Sequence, residues 1–411
     1  FRIIKIKVKK ITIKKVSTLN ISNLATSILL KYKIKYKNKI ELIINNIFFF
    51  MKKILLCSEF YYPNIGGVEN HNKILFEYFK RKRIKVYIAT SYNEERVNKT
   101  NIYQFRIKGN FVRGYSGETE KYQQFLLNKN FDLVFFNAAQ QWSFDLALPI
   151  IENINSKKIL FPCGFSRLNN ILYYPYFKLI KYKLNFFDEI ICAYSSGKDY
   201  NFIKKFYKKK INLINNGANK PFVYSLKKIK HELGINSKSN VFINISNIKF
   251  NKGQGRVIEL FNKIPNENSI LFLMGENHSN LYYKYINLKI YLFNKFNKNK
   301  KIYLLSPNQD IKNKLLFISN FFLFGSRIEY DPLVMYESIV NKTKFISYNV
   351  GSCRNIIKNN YGIVSDNNDE KIEYVMKNIK NKNKNKIKIK NINKYYWTSI
   401  CKKYFKLFNL D

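Results

Sequence analysis

The sequence contains few of the residues that build metal centres and disulfide frameworks. Its 411 residues include three histidines and five cysteines. The cysteines are widely spaced and form no Cys-x-x-Cys pair, which argues against a disulfide scaffold or a zinc site and fits a reducing compartment. Three histidines leave little room for a histidine-based metal site. No stretch reaches the roughly 18–20 consecutive apolar residues of a membrane-spanning helix. The lack of such a stretch excludes a polytopic membrane protein.

Acidic residues are also scarce. The chain has 27 Asp and Glu against 73 Lys and Arg, which gives a formal net charge of +46. Such an excess can indicate nucleic-acid binding. However, Lys, Asn, Ile, Tyr and Phe are enriched together, as an AT-biased coding sequence would cause, and Lys is not matched by the Arg that usually contacts bases and phosphates. We therefore favour compositional drift and expect no nucleic-acid partner. A basic, aromatic-rich surface also suits anionic lipid headgroups.

The first fifty residues differ from the rest. The chain opens with Phe1, and residues 1–50 alternate Lys with apolar residues without turn signals. An apolar strand pattern then begins at Met51. We interpret Met51 as the start and residues 1–50 as a non-native upstream segment; the alternative is a basic leader at a membrane surface. A secretory signal is disfavoured, because a long apolar core and a small-residue cleavage site are missing.

From Met51 onward, short apolar runs alternate with longer amphipathic segments, which predicts an α/β fold with parallel sheets. A turn-rich segment at 215–219 divides the runs into two series. We expect two doubly wound Rossmann-like domains, residues 51–215 and 216–390, facing each other across a ligand-binding cleft. Residues 379–394 are low in complexity and predict a solvated linker, which a final amphipathic helix follows. The predicted strands are residues 54–57, 86–89, 133–136, 159–161, 190–193, 241–245, 270–273, 302–305, 321–324 and 345–347.

The strongest local motif runs from Glu329 to Glu337. Pro332 suits the first turn of a helix. The amides of Leu333 and Val334 would then point out of the helix N-terminus, where a phosphate binds well. Glu329 lies before this helix and Glu337 about one and a half turns inside it. This placement fits a sugar on one side of a phosphate and a ribose on the other, although spacing alone would favour two solvated glutamates.

The same residues match the E-x7-E motif of retaining glycosyltransferases of family 4, which have the GT-B fold. Other segments resemble that family's motifs in the same order from Met51 to Phe408. The glycine loop P-N-I-G-G-V-E resembles the family's P-x-x-G-G-V-E, and I-N-N-G-A-N resembles its interdomain I-P-N-G-V-D. The further similar segments are residues 245–253, 272–275, 350–364 and 397–408.

The resemblance implies roles for individual residues. Glu329 would hold the hydroxyls of the donor sugar and Glu337 the ribose. Gly66 and Gly67 would let the backbone approach the diphosphate, since glycine has no Cβ. Lys252 would supply positive charge to the departing nucleotide, so that no metal and no other cofactor is needed. The expected donor-binding residues are Gly66, Gly67, Asn247, Lys252, Leu333, Val334 and Glu337.

The chain also departs from the family pattern. Asn247 stands where the family has an arginine. Asn137 replaces a histidine near the donor sugar; it can hydrogen-bond a hydroxyl but cannot serve as a base, and we expect it beside Glu329 as the second catalytic residue. The predicted acceptor-side residues are His71, Gln141 and Trp142. The alternatives are a surface position for His71 and core packing for Trp142.

The resemblance therefore implies a hexosyltransferase-type enzyme that moves a sugar, with retention, from a nucleotide sugar to a cell-surface polysaccharide, such as lipopolysaccharide, or to a lipid-linked acceptor. The alternatives are a non-catalytic GT-B-fold protein that binds a glycan and a GT-B sugar-nucleotide epimerase, against which the missing histidine at 137 argues. Residues 391–411 would form a helix that packs back on the first domain.

We expect a cytoplasmic protein, with weak peripheral attachment to the anionic inner face of the membrane. The aromatic and Lys-rich segment 171–187 in the first domain, with Lys178, Lys181 and Lys183, suits such a surface. A helix that merely covers the sheet is an equal alternative for this segment.

Overall fold

The computed structural model describes residues 52–64, 66–96, 99–265, 268–357, 361–379 and 391–410. The predictions for residues 1–51, for Ile65 in the glycine loop and for most of the low-complexity linker lie outside these described residues. The strands are β1 Lys53–Cys57, β2 Lys85–Ser91, β3 Ile102–Phe105, β4 Ile107–Asn110, β5 Gly114–Gly117, β6 Leu133–Asn137, β7 Lys157–Phe161, β8 Glu189–Cys192, β9 Ile211–Leu213, β10 Asn240–Ile245, β11 Ser269–Met274, β12 Lys300–Leu305, β13 Phe321–Phe324, β14 Lys344–Tyr348 and β15 Gly362–Ser365. The α-helices are α1 Gly67–Arg81, α2 Thr119–Asn128, α3 Trp142–Asp145, α4 Tyr174–Lys183, α5 Lys198–Phe206, α6 Leu226–Glu232, α7 Gln254–Lys263, α8 Asn280–Phe296, α9 Gln309–Ile318, α10 Leu333–Val340, α11 Cys353–Ile356, α12 Asn368–Ile379 and α13 Trp397–Leu407.

The first domain is built on a parallel sheet with the strand order β3-β2-β1-β6-β7-β8-β9. Its central strands, such as β1 with the sequence K-I-L-L-C, are almost wholly apolar and buried. Continuous apolar strands are expected where helices cover both faces of a parallel sheet. The strand order reverses between β1 and β6, so the crevice at the carboxyl ends of these strands is a natural ligand position.

The second domain repeats this arrangement, with the parallel order β12-β11-β10-β13-β14-β15. Its order reverses between β10 and β13. The strand β13, F-F-L-F, is buried along its whole length. The α/β prediction with two Rossmann-like domains is confirmed, and each of the ten predicted strands is present.

Other strands carried too weak a pattern for prediction. β3 and β9 are the edge strands of the first sheet and are short or half-buried. β15 begins at Gly362 and forms an edge of the second sheet. β4 and β5 form a separate antiparallel hairpin. Edge strands bury one side incompletely, so their sequences lack the continuous apolar run of a central strand.

The last helix, α13, packs against the first domain. Its Ile400 and Tyr404 belong to the same buried cluster as Phe79 and Phe135. The chain reaches α13 through a bridge between Ala218 and Tyr396, beside the segment that connects the domains. Within the described part of the chain, no helix combines the length and the apolar character needed to cross a membrane.

Candidate active site in the interdomain cleft

Two neighbouring cavities lie between the domains. The first, of about 360 Å³, contains Glu329 and Lys252 in its wall and is called the Glu329 cavity. The second, of about 630 Å³, has Glu337 in its wall and is called the Glu337 cavity. Gly66, Leu333 and Val334 line both. The two cavities therefore form one cleft, which has a carboxylate in each half.

The Glu329 cavity lies where β10 and β13 end. Ile245 and Phe324, the last residues of these strands, both line it. Lys252 Nζ lies 2.5 Å from Glu329 Oε1, and both side chains are mostly buried. An ion pair held at the switch point of a doubly wound sheet is a preformed polar site. The pair can separate when an anion binds Lys252 and hydroxyl groups donate hydrogen bonds to Glu329.

Close backbone packing fixes the turn that carries Lys252. This residue ends a 3₁₀ turn, Phe250–Lys252, and Gly253 follows with φ of 68°. A Cβ on Gly253 would lie 2.1 Å from the carbonyl oxygen of Gly325. Only glycine fits this left-handed position without a clash. The Lys-Gly pair is therefore required in order to bring Lys252 against the loop after β13.

In the Glu337 cavity, only one of the two carboxylate oxygens of Glu337 has a hydrogen-bond partner in the protein. Lys312 Nζ, from α9, lies 2.6 Å from Glu337 Oε1. Glu337 Oε2 is buried and has no hydrogen-bond partner in the protein. A buried acceptor without a partner is costly. Glu337 lines the cavity, but this unpaired oxygen is itself enclosed, so a ligand hydroxyl would reach it only after the side chain changes conformation.

The N-terminus of α10 lies between the two carboxylates. Pro332 is its N-cap and Leu333 its first helical residue, so the proline stands one position earlier than predicted. The first amides of a helix have no partner within that helix, and those of Leu333 and Val334 belong to residues that line both cavities. An anionic group placed here would receive backbone hydrogen bonds and a favourable helix dipole.

A buried aspartate fixes this helix start. Asp331 accepts hydrogen bonds from the Tyr336 hydroxyl (2.6 Å), from the Ser352 hydroxyl and from the backbone amide of Asn216 (2.7 Å). Burial raises the pKa of Asp331, and these hydrogen bonds oppose that shift. Since Asn216 belongs to the connection between the domains, Asp331 ties the site loop to that connection.

Tyr330 links the same loop to the first domain. Its hydroxyl donates to Asp199 Oδ2 (2.6 Å) and accepts from the backbone amide of Ala193 (3.0 Å). Asp199 is 1% exposed. A second link joins Ser196 in the first domain to Asn355 in the second, at 2.8 Å. These contacts define how the two walls of the cleft face each other.

The first domain contributes the N-terminus of α1. Gly66 is the N-cap, with an extended backbone, and Gly67 is the first helical residue. A Cβ on Gly67 would meet no atom within 4 Å, whereas one on Gly66 would clash with the Glu69 carboxylate at 2.2 Å. Gly67 thus lines the Glu329 cavity with open space where a Cβ would stand, and its role towards a diphosphate stays a prediction. Burial raises the pKa of Glu69.

His71 forms part of the wall of the Glu329 cavity, and the alternative of a surface position for this residue is wrong. It is 2% exposed and is surrounded by rings that include Phe161, Trp397 and Tyr404. Burial lowers the pKa of His71 to about 3, so its imidazole is neutral near pH 7. Asn137 Nδ2 contacts His71 Nδ1 at 2.9 Å, and with the amide as donor the imidazole proton lies on Nε2.

Three predicted site residues, Asn137, Gln141 and Trp142, line neither of the two cavities. Asn137 is completely buried; its Nδ2 contacts His71 and Asn72, and its Oδ1 accepts from Cys163. Its polar atoms are therefore engaged within the protein, where it positions His71; a contact with the donor sugar stays a prediction. Gln141 is the N-cap of α3, and its Oε1 accepts the Glu59 amide at 3.1 Å.

Trp142 is a core residue. It is 1% exposed and packs against Tyr122, with ring centroids 4.9 Å apart. Its Nε1 donates to Ser91 Oγ at 2.9 Å. The alternative of core packing is therefore the correct one, and no acceptor contact is assigned to Trp142.

The remaining predicted residues come together in the cleft. Gly66, Gly67, His71, Asn247, Lys252, Glu329, Leu333 and Val334 line the Glu329 cavity, and Glu337 lines its neighbour. Sequence reasoning missed Lys312, which is one lysine among many, and the interdomain contact between Tyr330 and Asp199. No group of three or more His, Cys, Asp and Glu side chains suited to a metal ion occurs in the described ranges.

Comparison with known proteins supports the sequence resemblance. Residues 226–395, less than half of the chain, match the sequence model of the family Glycosyl transferases group 1. This segment is the second domain, which carries Lys252, Glu329 and Glu337. The resemblance is thereby confirmed for this domain at the level of group 1; family 4 and retention stay predictions. No curated protein matches the sequence.

Several solved structures share the fold. HepE of Anabaena in complex with UDP has a TM-score of 0.69 and 14% identity, covering 88% of this chain and 100% of its own. Sucrose-phosphate synthase from Thermosynechococcus elongatus has a TM-score of 0.69 and 13% identity, covering 87% and 98%. WaaG, a glycosyltransferase involved in lipopolysaccharide biosynthesis, has a TM-score of 0.58 and 14% identity, covering 86% and 95%. Such low identities show the GT-B fold and not the substrate.

Proposed function

We propose that this protein is a glycosyltransferase that moves a sugar from a nucleotide-sugar donor to an acceptor hydroxyl. The observation that carries the proposal is the cleft with Glu329 and Lys252 in one half, Glu337 in the other and the N-terminus of α10 between them. This arrangement offers a separate group to each part of a nucleotide sugar. The family match of the second domain supports it.

The donor would lie with its diphosphate over the start of α10. Lys252 would leave Glu329 and pair with the diphosphate, which frees Glu329 to accept hydroxyls of the sugar. Once its side chain has changed conformation, Glu337 would accept a ribose hydroxyl at the unpaired Oε2 while Lys312 holds Oε1. As the bond between the sugar and the phosphate breaks, Lys252 and the helix amides stabilise the charge that develops on the leaving diphosphate.

The reaction would proceed with retention and without a metal ion. The acceptor hydroxyl would attack the face from which the nucleotide leaves and would pass its proton to the departing phosphate oxygen. Lys252 and the amides of α10 would supply the positive charge that a metal cation supplies in other enzymes. His71 would contribute shape and hydrogen bonding, because a neutral imidazole with a pKa of about 3 is a poor proton acceptor near neutral pH.

The acceptor in this proposal is a cell-surface polysaccharide or a lipid-linked precursor, reached from the cytoplasmic side of the membrane. The fold that the chain shares with WaaG is consistent with this class. Part of segment 171–187 fits each of its two interpretations, which are contact with a membrane surface and packing over the sheet. Tyr176, Phe177 and Ile180 are buried, whereas Ile171 and Leu172 are exposed. Lys183 pairs with Glu152, which reduces the cationic charge available to lipid.

Isothermal titration with nucleoside diphosphates and a panel of nucleotide sugars tests the donor site. Glu337→Gln should weaken both ligand classes about 10–100-fold, since a hydrogen bond to a charged group contributes about 1.5–3 kcal/mol. Glu329→Gln should spare the nucleoside diphosphate and weaken the sugar-bearing donors. Glu276→Gln, at an exposed glutamate of the same domain, is the matched control. Equal effects of the two site variants on both ligand classes would contradict the division of roles.

A further inference from the structure

The helix α8 of the second domain carries an apolar stripe that faces solvent. Its members recur at helical spacing and are between 43% and 84% exposed: Leu281, Tyr285, Leu288, Leu292 and Phe296. At 100° per residue they fall within a sector of about 80°. Ile286, Ile290 and Phe293, on the opposite side, are buried against the domain. The helix is therefore anchored by one apolar face and presents a second one.

Lysines lie beside this stripe on both sides. At the same helical spacing, Lys284 and Lys295 fall on one flank and Lys289 on the other. Lys284 and Lys295 are exposed, and Lys289 pairs with Glu259 at 2.7 Å. The sequence of α8 contains no acidic residue. Leu, Tyr and Phe on one face with Lys at its borders is the composition of a helix that lies in the interface of an anionic bilayer.

We propose that the exposed face of α8 docks on the surface of an anionic lipid bilayer. Charge complementarity selects this occupant over a second copy of the chain. Two copies would bring the same lysines together, and each chain carries a formal net charge of +46. An anionic surface attracts that charge, while the stripe enters the layer of headgroups. Contiguous apolar patches that face solvent often mark interaction sites.

This surface is distinct from segment 171–187. That segment belongs to the first domain, whereas α8 belongs to the second. Binding to vesicles needs neither donor nor acceptor. Failure of this inference would therefore leave the proposed transferase intact, and failure of transfer would leave the surface intact.

Co-sedimentation of the full chain with vesicles tests the proposal. The wild type should bind vesicles of phosphatidylcholine mixed with phosphatidylglycerol, should lose binding as salt rises, and should not bind pure phosphatidylcholine. The triple variant Leu281→Ser, Leu288→Ser, Phe296→Ser should lower the partition coefficient at least about tenfold. The comparison variant, Ile171→Ser, Leu172→Ser, Tyr174→Ser, removes similarly exposed apolar residues of segment 171–187 and should weaken binding less than the α8 variant does.

A charge variant keeps the test decisive if the triple variant unfolds. Lys284→Glu with Lys295→Glu changes only exposed residues and should also weaken binding at least about tenfold. Equal binding to neutral vesicles, unchanged binding of a folded α8 variant, or loss confined to the comparison variant would overturn the proposal. Sedimentation equilibrium supplies the remaining outcome: a wild-type dimer that the α8 variant abolishes would assign the face to a second copy and refute lipid docking.

Discussion

Acidification should destabilise the first domain through His71. The imidazole is enclosed by Phe161, Trp397 and Tyr404 and cannot take up a proton without placing a charge in that apolar surrounding. Its native pKa is about 3, against 6.5 for an unburied histidine. In the unfolded chain the same group protonates freely. The unfolded state thus binds more protons between these two pH values, and stability must rise with pH across this window.

The size of the effect follows from the two pKa values. Above about pH 6.5 His71 is neutral in both states and contributes no pH dependence. A pH of about 5 lies about 1.5 units below the pKa of His71 in the unfolded chain. At 1.36 kcal/mol per unit, protonation of the unfolded state therefore lowers the free energy of unfolding by about 2 kcal/mol. Continued acidification towards about pH 3 raises the total loss to about 5 kcal/mol.

Urea unfolding followed by tryptophan fluorescence measures this loss. The two tryptophans, Trp142 and Trp397, both lie in buried clusters of the first domain, so the signal reports on that domain. His71→Gln removes the titrating group and keeps an acceptor for Asn137. The difference in unfolding free energy between wild type and variant should shift by about 2 kcal/mol between about pH 6.5 and pH 5. Parallel pH profiles, within about 0.5 kcal/mol, would refute the reasoning.

Three further predictions concern Asp145, the hydrogen bond between Tyr330 and Asp199, and the metal dependence of sugar transfer. Asp145 accepts from Tyr115 and Tyr176, and burial raises its pKa from 3.8 to about 6. Its ionisation therefore costs stability as pH rises from about 4 to 6, and Asp145→Asn should gain about 3 kcal/mol relative to wild type over that range in urea unfolding. Tyr330→Phe should lose about 1–3 kcal/mol in the same assay, and a missing coupling to Asp199→Asn in a double-mutant cycle would contradict the interdomain link. Sugar transfer should persist in a chelator; loss that a divalent metal restores would refute the metal-free mechanism.

The sequence predicted the scaffold because its central strands are nearly continuous apolar runs. Those runs gave β1, β6, β10 and β13, and hence both sheet centres. Edge strands such as β3 and β9 escaped prediction, since half-buried strands lack that pattern. The motif from Glu329 to Glu337 located α10 to within one residue, because Pro332 and two spaced carboxylates are local signals.

Contacts between distant segments could not be predicted in this way. Asn137 ends a strand at the cleft, yet His71 from another element covers it. Lys312 reaches Glu337 from the preceding helix, and nothing in its local sequence separates it from other lysines. The link between Tyr330 and Asp199 joins residues that are far apart in the chain, and only the packing of the two domains brings them together.

Release of nucleoside diphosphate from a panel of nucleotide sugars, measured with lipid-linked and polysaccharide acceptors, tests the central claim most directly. The wild-type chain should turn over at least one donor and transfer its sugar to an acceptor. Glu329→Gln should reduce turnover at least about 100-fold, while its affinity for the free nucleoside diphosphate should not fall below that of wild type, because Lys252 is released from its ion pair. A folded wild-type protein that binds no nucleotide sugar, or that binds donors without transferring a sugar to any acceptor, would contradict the account.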